Sequence, residues 1–243
     1  MKTTLMMTFL VLALGFGAWQ AEAITNEVTI DTAGDPLADV TDWADEYCVP
    51  DDVCGDFSGD QRDTKGVCIA SNFAATDPNP ATVAYLRFDF DITGVSGANT
   101  VDGCWLVDAN QNGMVENALC FSLTGNPLLL TDSYFFTCND GSATACGGAV
   151  PVLPSPAVCA INHNTGTADQ ILVCPDDTAD TAVECSVSLT DLGWASGEIS
   201  LIRACTSTSA QPNSATFDCL ESLVIDPDTG GNTPVELISF QVE

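Results

Sequence analysis

The chain has 243 residues, 46% of them hydrophobic, and sets 34 acidic residues against 5 basic ones and a single histidine, for a formal charge of −29 at pH 7. So one-sided a balance excludes nucleic acid as a partner, because neutralising phosphates takes clustered Lys and Arg. The apolar content excludes an acidic disordered tail, and the negative surface of the folded chain points to cations, saline surroundings or high solubility.

Residues 1–23 read as a secretory signal peptide: Lys2 supplies the charged start, Leu5 to Ala18 the apolar run, and Ala21-Glu22-Ala23 the small-x-small cleavage site. The apolar run is short for a bilayer span and no later stretch is long and apolar enough. The mature chain from Ile24 is therefore expected to be secreted, extracellular or at the cell surface, without a membrane span. Cleavage removes one base, Lys2, and one acid, Glu22, and leaves the net charge unchanged. All 12 cysteines lie beyond the signal. An even number in an oxidising compartment argues for disulfides over zinc, and His163 alone offers little to a mixed zinc site.

Val28 and Ile30 mark a first strand, ended by the turn Asp31-Thr-Ala-Gly-Asp-Pro36. Residues 31–64 form a long acidic loop region enclosing Cys48 and Cys54, which are expected to bridge. Within it Asp56-Phe-Ser-Gly-Asp60 lacks Gly at the sixth position of a cation loop and reads as a solvated loop. Ala84 to Ile92 alternates cleanly, with Ala84, Leu86, Phe88, Phe90 and Ile92 on one side and Tyr85, Arg87, Asp89 and Asp91 on the other. Such alternation predicts an antiparallel strand with one buried face.

Next come two apolar runs, Gly103-Cys-Trp-Leu-Val107 and Asn117-Ala-Leu-Cys-Phe-Ser-Leu123, joined by Asp108-Ala-Asn-Gln-Asn-Gly113-Met-Val-Glu116. Oxygen donors at alternate positions with Gly at the sixth are what a short loop needs to wrap a hard cation. The candidate calcium ligands are Asp108, Asn110, Asn112, Met114 through its carbonyl, and Glu116. A metal-free reading stands beside this one, since Asn112-Gly113 is also the preferred pair for a two-residue type I′ turn. The two readings imply different registers. A two-residue turn sets Cys104 opposite Phe121, whereas pairing centred on Asn112 sets it opposite Cys120, close enough for a cross-strand bridge. The second register needs an odd-length loop, supplied by a wrapped ion or a bulged turn. It also puts Trp105, Val107, Leu119, Phe121 and Leu123 on one core-facing stripe.

Pro127 to Phe136 continues as strand, followed by a loop closed by Cys138 and Cys146. Cys159 and Cys174 are equidistant from Gly166-Thr167, and Cys185 and Cys205 from Ala195. Symmetry about a turn predicts Cys159–Cys174 and Cys185–Cys205 as cross-strand bridges, with Cys68–Cys219 as the remaining pair; connectivity is not fixed by sequence. Residues 226–234 have linker chemistry and deliver a final strand over 235–243, whose Val235 and Leu237 alternate with Ile238 and Phe240 across the pleat. Short strands between turn signals predict an all-β antiparallel sandwich, jelly-roll or immunoglobulin-like, as one disulfide-stapled domain over 24–225.

The opening strand with its Asp31–Pro36 turn, Tyr85-Leu-Arg-Phe-Asp-Phe-Asp91 leading to the Asp108 loop, and Val183-Glu-Cys-Ser-Val-Ser-Leu-Thr-Asp-Leu-Gly193 together resemble secreted β-sandwiches of the DOMON and family 9 carbohydrate-binding type. The resemblance implies a sandwich with structural calcium and, in some members, a sugar or haem pocket. Haem needs an axial His or Met, which His163 and the few Met supply poorly. Three functional classes follow. One is a non-enzymatic structural or interaction protein that self-associates by strand addition through its terminal strands. The second is a carbohydrate-binding module with Trp43, Tyr47, Tyr85 or Trp194 as platform. The third is a hydrolase using paired carboxylates. The first is preferred, because neither a sugar platform nor a nucleophile motif can be singled out.

Overall fold

A computed structural model describes residues 48–50, 64–71, 81–90, 92, 94–163, 181–227 and 231–232. In chain order these hold β1 (Cys48–Pro50), β2 (Thr64–Ser71), β3 (Val83–Phe90), β4 (Thr100–Asp108), β5 (Asn117–Thr124), β6 (Leu129–Cys138), β7 (Ala149–Val152), β8 (Val158–His163), β9 (Thr181–Ser188), β10 (Ile199–Ser207), β11 (Thr216–Asp226) and β12 (Gly231–Asn232). One sheet runs β1-β2-β3-β9-β8 and the other β12-β11-β10-β4-β5-β6-β7. Neighbouring strands pair antiparallel throughout. The fold is thus the expected all-β antiparallel sandwich.

The sheets meet over an aromatic cluster that the alternation of β3 supplies from one side and β4 and β5 from the other. Phe88 and Phe90 stack at 4.7 Å, and both present edges to Phe121 at 5.6 and 5.7 Å. Trp105 lies 5.0 Å from Phe121 and is fully buried. Its indole N–H crosses between the sheets to donate to the Arg87 carbonyl at 3.3 Å. A buried Trp wants such a partner, and this one ties the two layers together. Val107, Leu119 and Leu123 complete the stripe on the same core.

The register between β4 and β5 is the odd-loop one, with Cys104 opposite Cys120, Trp105 opposite Leu119 and Val107 opposite Asn117. The Cys104–Cys120 and Cys138–Cys146 bridges are both present. Three other expected pairings are replaced. Cys159 bonds Cys185, its partner in the β8–β9 register; Cys174 lies outside the described residues. Cys205 bonds Cys219, its partner in the β10–β11 register, which removes both Cys185–Cys205 and Cys68–Cys219. For Cys159 the neighbouring strands β8 and β9 do pair, but in a register that sets it opposite Cys185 and not Cys174; for Cys185–Cys205 the symmetry argument failed because it assumed that chain neighbours pair. β9 and β10 belong to different sheets, so the segment from Leu189 to Glu198 is a crossover and not a hairpin turn. Cys68 is disulfide-bonded, with Cys48 opposite it across β1–β2; Cys54 lies outside the described residues.

β3 also departs from the single buried face. Tyr85, Arg87 and Asp89 on its second side are 5%, 2% and 6% exposed. The charges there are compensated locally, as burial demands: Arg87 Nε donates to Asp89 Oδ1 at 2.8 Å and Nη1 to Glu184 Oε1 at 3.2 Å. The stretch read as a linker, residues 226–234, includes the end of β11 and the two residues of β12 that fold back on it. The expected strands over 24–30 and 235–243 and the signal peptide lie outside the described residues.

Candidate metal centre

β4 ends at Asp108 and β5 begins at Asn117, so the loop between them sits on a doubly fixed base. The Cys104–Cys120 bridge locks the two strands, and the β10 register places Cys205 directly beside Cys104. Four cysteines, Cys219, Cys205, Cys104 and Cys120, therefore stand abreast across β11, β10, β4 and β5, joined in two bridges.

Above this base the loop folds through its own side chains. Asp108 is 2% exposed, and its carboxylate accepts from the amides of Asn110 at 3.2 Å and Gly113 at 2.8 Å. Asn110 Oδ1 accepts from the Asn112 amide at 3.1 Å and Asn112 Oδ1 from the Met114 amide at 2.8 Å. Glu116 closes the ring: Oε2 accepts from the Ala109 amide at 3.0 Å and Oε1 from Asn112 Nδ2 at 2.8 Å. The sharp bend at the sixth position has Gly113 at φ 80°, a left-handed conformation that costs glycine little. The side chains of Asp108, Asn110, Asn112 and Glu116 are thus linked in one small ring, which Met114 joins through its amide N–H and not through the carbonyl expected as a ligand.

A second loop buttresses the first, which sequence reasoning missed. The Val115 amide donates to the Ser142 carbonyl at 3.0 Å, and the Glu116 carbonyl accepts from the Cys138 amide at 2.8 Å. Gly141 has to be glycine for this approach, since a Cβ there would collide with the Val115 carbonyl. The sequence signal was present in the small loop pinned by Cys138 and Cys146, but nothing in it named the neighbour. Asn117 adds a tie across the sandwich, donating from Nδ2 to the Leu192 carbonyl at 2.8 Å.

The electrostatics of the ring favour a cation. Burial raises the Glu116 carboxyl above its ordinary value, the Ala109 amide bond opposes this, and the neighbouring Asp108 charge raises it further. Two carboxylates held this close to one another relax when a positive ion enters. Among the described residues no three His, Cys, Asp or Glu side chains gather at metal-binding distance. An ion here would have to take its remaining oxygens from Asn110, Asn112 and the backbone. Carboxylate and amide oxygens that accept one N–H retain a second lone pair, so the ring's hydrogen bonds and an ion are compatible. This donor set is all oxygen, suited to calcium and unsuited to soft metals.

Beside the ring lies a cavity of about 340 Å³ lined by Asp108, Gly113, Thr144, Ser200, Ile202 and Arg203. The aromatic candidates for a sugar platform are otherwise engaged: Tyr85 is buried, and Trp194 is half-buried against the core with its indole donating to the Gly197 carbonyl at 2.8 Å. Trp43 and Tyr47 lie outside the described residues. Among the described residues no helix is long and apolar enough to cross a membrane. Compared with protein-family models, with curated proteins and with solved structures, the chain matches none.

Proposed function

We propose that this chain is an exported, non-enzymatic β-sandwich with a structural calcium ion in the Asp108–Glu116 ring, serving a structural or interaction role at the cell surface or in extracellular matrix and self-associating by strand addition. The observation that carries the reading is the ring itself: the side chains of Asp108, Asn110, Asn112 and Glu116 are linked by hydrogen bonds in one oxygen-rich loop anchored on bridged strands. With two carboxylates its affinity belongs to the extracellular range, about 0.1–1 mM. Such a site is filled outside a cell and empty inside one, which accords with the signal-like start and the paired cysteines. Kinship with DOMON-type and family 9 carbohydrate-binding sandwiches belongs to the same reading.

A hydrolase is the second reading, and one observation favours it: Glu116, raised, stands beside Asp108 as an acid beside a carboxylate would. The carboxylates of both residues, however, already accept N–H bonds that hold the turn. Isothermal titration of the purified chain with calcium tests the proposal. Binding in the range above, lost in Asp108→Ala, supports it; no heat of binding sinks it. Mass spectrometry of the native protein, with Ile24 as first residue and recovery from the envelope or medium, tests the export.

A further inference from the structure

Four of the five large hydrophobic side chains exposed among the described residues lie on one rim of the sandwich: Leu129 at 58%, Val150 at 47%, Leu153 at 79% and Val158 at 48%. The reason is visible in the pairing. β7 covers only Phe135 to Cys138 of β6, because the chain then bends after Val152 and crosses to β8 in the other sheet. Leu129 to Tyr134 of β6 therefore pair with no strand on that side among the described residues, although β8 of the other sheet packs near β6. A row of open backbone donors and acceptors flanked by apolar side chains is a template for an incoming strand. β7 itself is blunted by Pro151, which has no N–H to offer. The open stretch of β6 holds no proline.

We propose that this notch receives residues 235–242 of a second copy of the chain, so that copies join head to tail; the proposal rests on the structural reading above and names its contact. The donor is identified by where it leaves the fold. β12 pairs with Ile225 and Asp226 of β11, the opposite margin of the same seven-stranded sheet. Eleven residues follow, Thr233 to Glu243, and the alternating eight, Val235 to Val242, match an open edge of six. As an eight-residue strand they cannot be laid along the notch of their own copy. Val235 stands three residues beyond Asn232, within about 10 Å of it, whereas the notch is six strand spacings away, about 29 Å.

Zipping back along β11 is disfavoured in two ways. Continuing the β11–β12 register sets Glu236 opposite Glu221, like charges face to face. β1 and β2 also close over β11, with the Thr64 amide donating to Asp218 Oδ2 at 2.8 Å. Because donor and acceptor occupy opposite margins of one sheet, the contact is heterologous and propagates as an open filament. Each copy carries a charge of −29, so assembly needs salt or divalent cations to shorten the reach of the repulsion.

The test is sedimentation of the intact mature chain in physiological salt with calcium. It is run beside an acceptor variant, Leu129→Glu/Leu153→Glu, and a donor variant, Leu237→Asp/Phe240→Asp, each checked for an unchanged melt. The intact chain is expected to form concentration-dependent polymers and each variant to stay monomeric. An equimolar mixture of the two variants is expected to give dimers and nothing larger, since one tail and one notch remain. An intact chain that stays monomeric, variants that polymerise, or a mixture that stays monomeric would overturn the proposal. A monomeric chain that still binds calcium and is recovered from the cell envelope would remove strand addition from the proposed function and leave the exported, calcium-stabilised sandwich standing.

Discussion

Replacing Cys104 and Cys120 by alanine removes the bond that fixes the β4–β5 register. The two residues are separated by 16 positions, and in the chain-entropy description a loop of that length releases about 3 kcal/mol of constraint on the unfolded state. For a domain of this size each kcal/mol moves Tm by about 2–4 °C, so a drop of roughly 6–12 °C is expected. Both sulfurs are buried in a small cluster with Leu106, Ala118 and Phe136, and the space they leave adds to the loss. Thermal unfolding followed by circular dichroism under non-oxidising handling reads it directly. The Cys205–Cys219 bridge closes a loop of similar length, and Cys205→Ala/Cys219→Ala alone should cost a comparable amount. Because Cys104 and Cys205 are register neighbours, the combined variant should depart from additivity by about 0.5–3 kcal/mol. A Tm within about 2 °C of the parent for the first pair would refute the idea that this bridge holds the hairpin.

Gly103 faces the Phe121 ring, where an added Cβ would sit 2.5 Å from Cζ; Gly103→Ala should cost about 1–3 kcal/mol in chemical denaturation, and a neutral result would show that the ring yields freely. Arg87→Met strips the cation from two buried carboxylates and should cost about 3–5 kcal/mol, against little change if that face is solvated. Burial pushes the Tyr85 phenol above its ordinary 10.0. The folded chain then holds the proton more tightly than the unfolded one, so the stability is intact below pH 10 and falls as pH rises past it. Tyr85→Phe should flatten that alkaline loss, and an unchanged slope between the two proteins would rule Tyr85 out as its source.

Local chemistry was legible in the sequence wherever two observations constrained one another. The Asp108 loop was readable because the spacing of its oxygens and the spacing of Cys104 and Cys120 demanded the same odd-length turn, and the register follows it. β3 was readable from alternation, yet its second face was misjudged, because Arg87 and Asp89 look solvent-facing until the partner Glu184, far along the chain, is brought beside them. The Cys205–Cys219 bridge was misjudged for the same reason, and that of Cys159 because the β8–β9 register is not centred on the Gly166-Thr167 turn. Symmetry about a turn is a local signal, whereas the choice of sheet at the Leu189–Glu198 crossover is decided by packing of whole layers. The buttress from Gly141 and Ser142 was invisible in sequence because it is a contact between two loops with no shared periodicity.

The most direct measurement is a calcium titration of the thermal melt. At free calcium about 100 times the dissociation constant, binding to the folded state alone adds about 2.7 kcal/mol, which for this size raises Tm by roughly 5–10 °C. The intact chain should climb by that amount over its chelated form, while Asp108→Ala, lowered in itself by the two loop hydrogen bonds it loses, does not move with calcium. Identical melts for the intact chain with calcium and with chelator would contradict a metal in the Asp108–Glu116 ring.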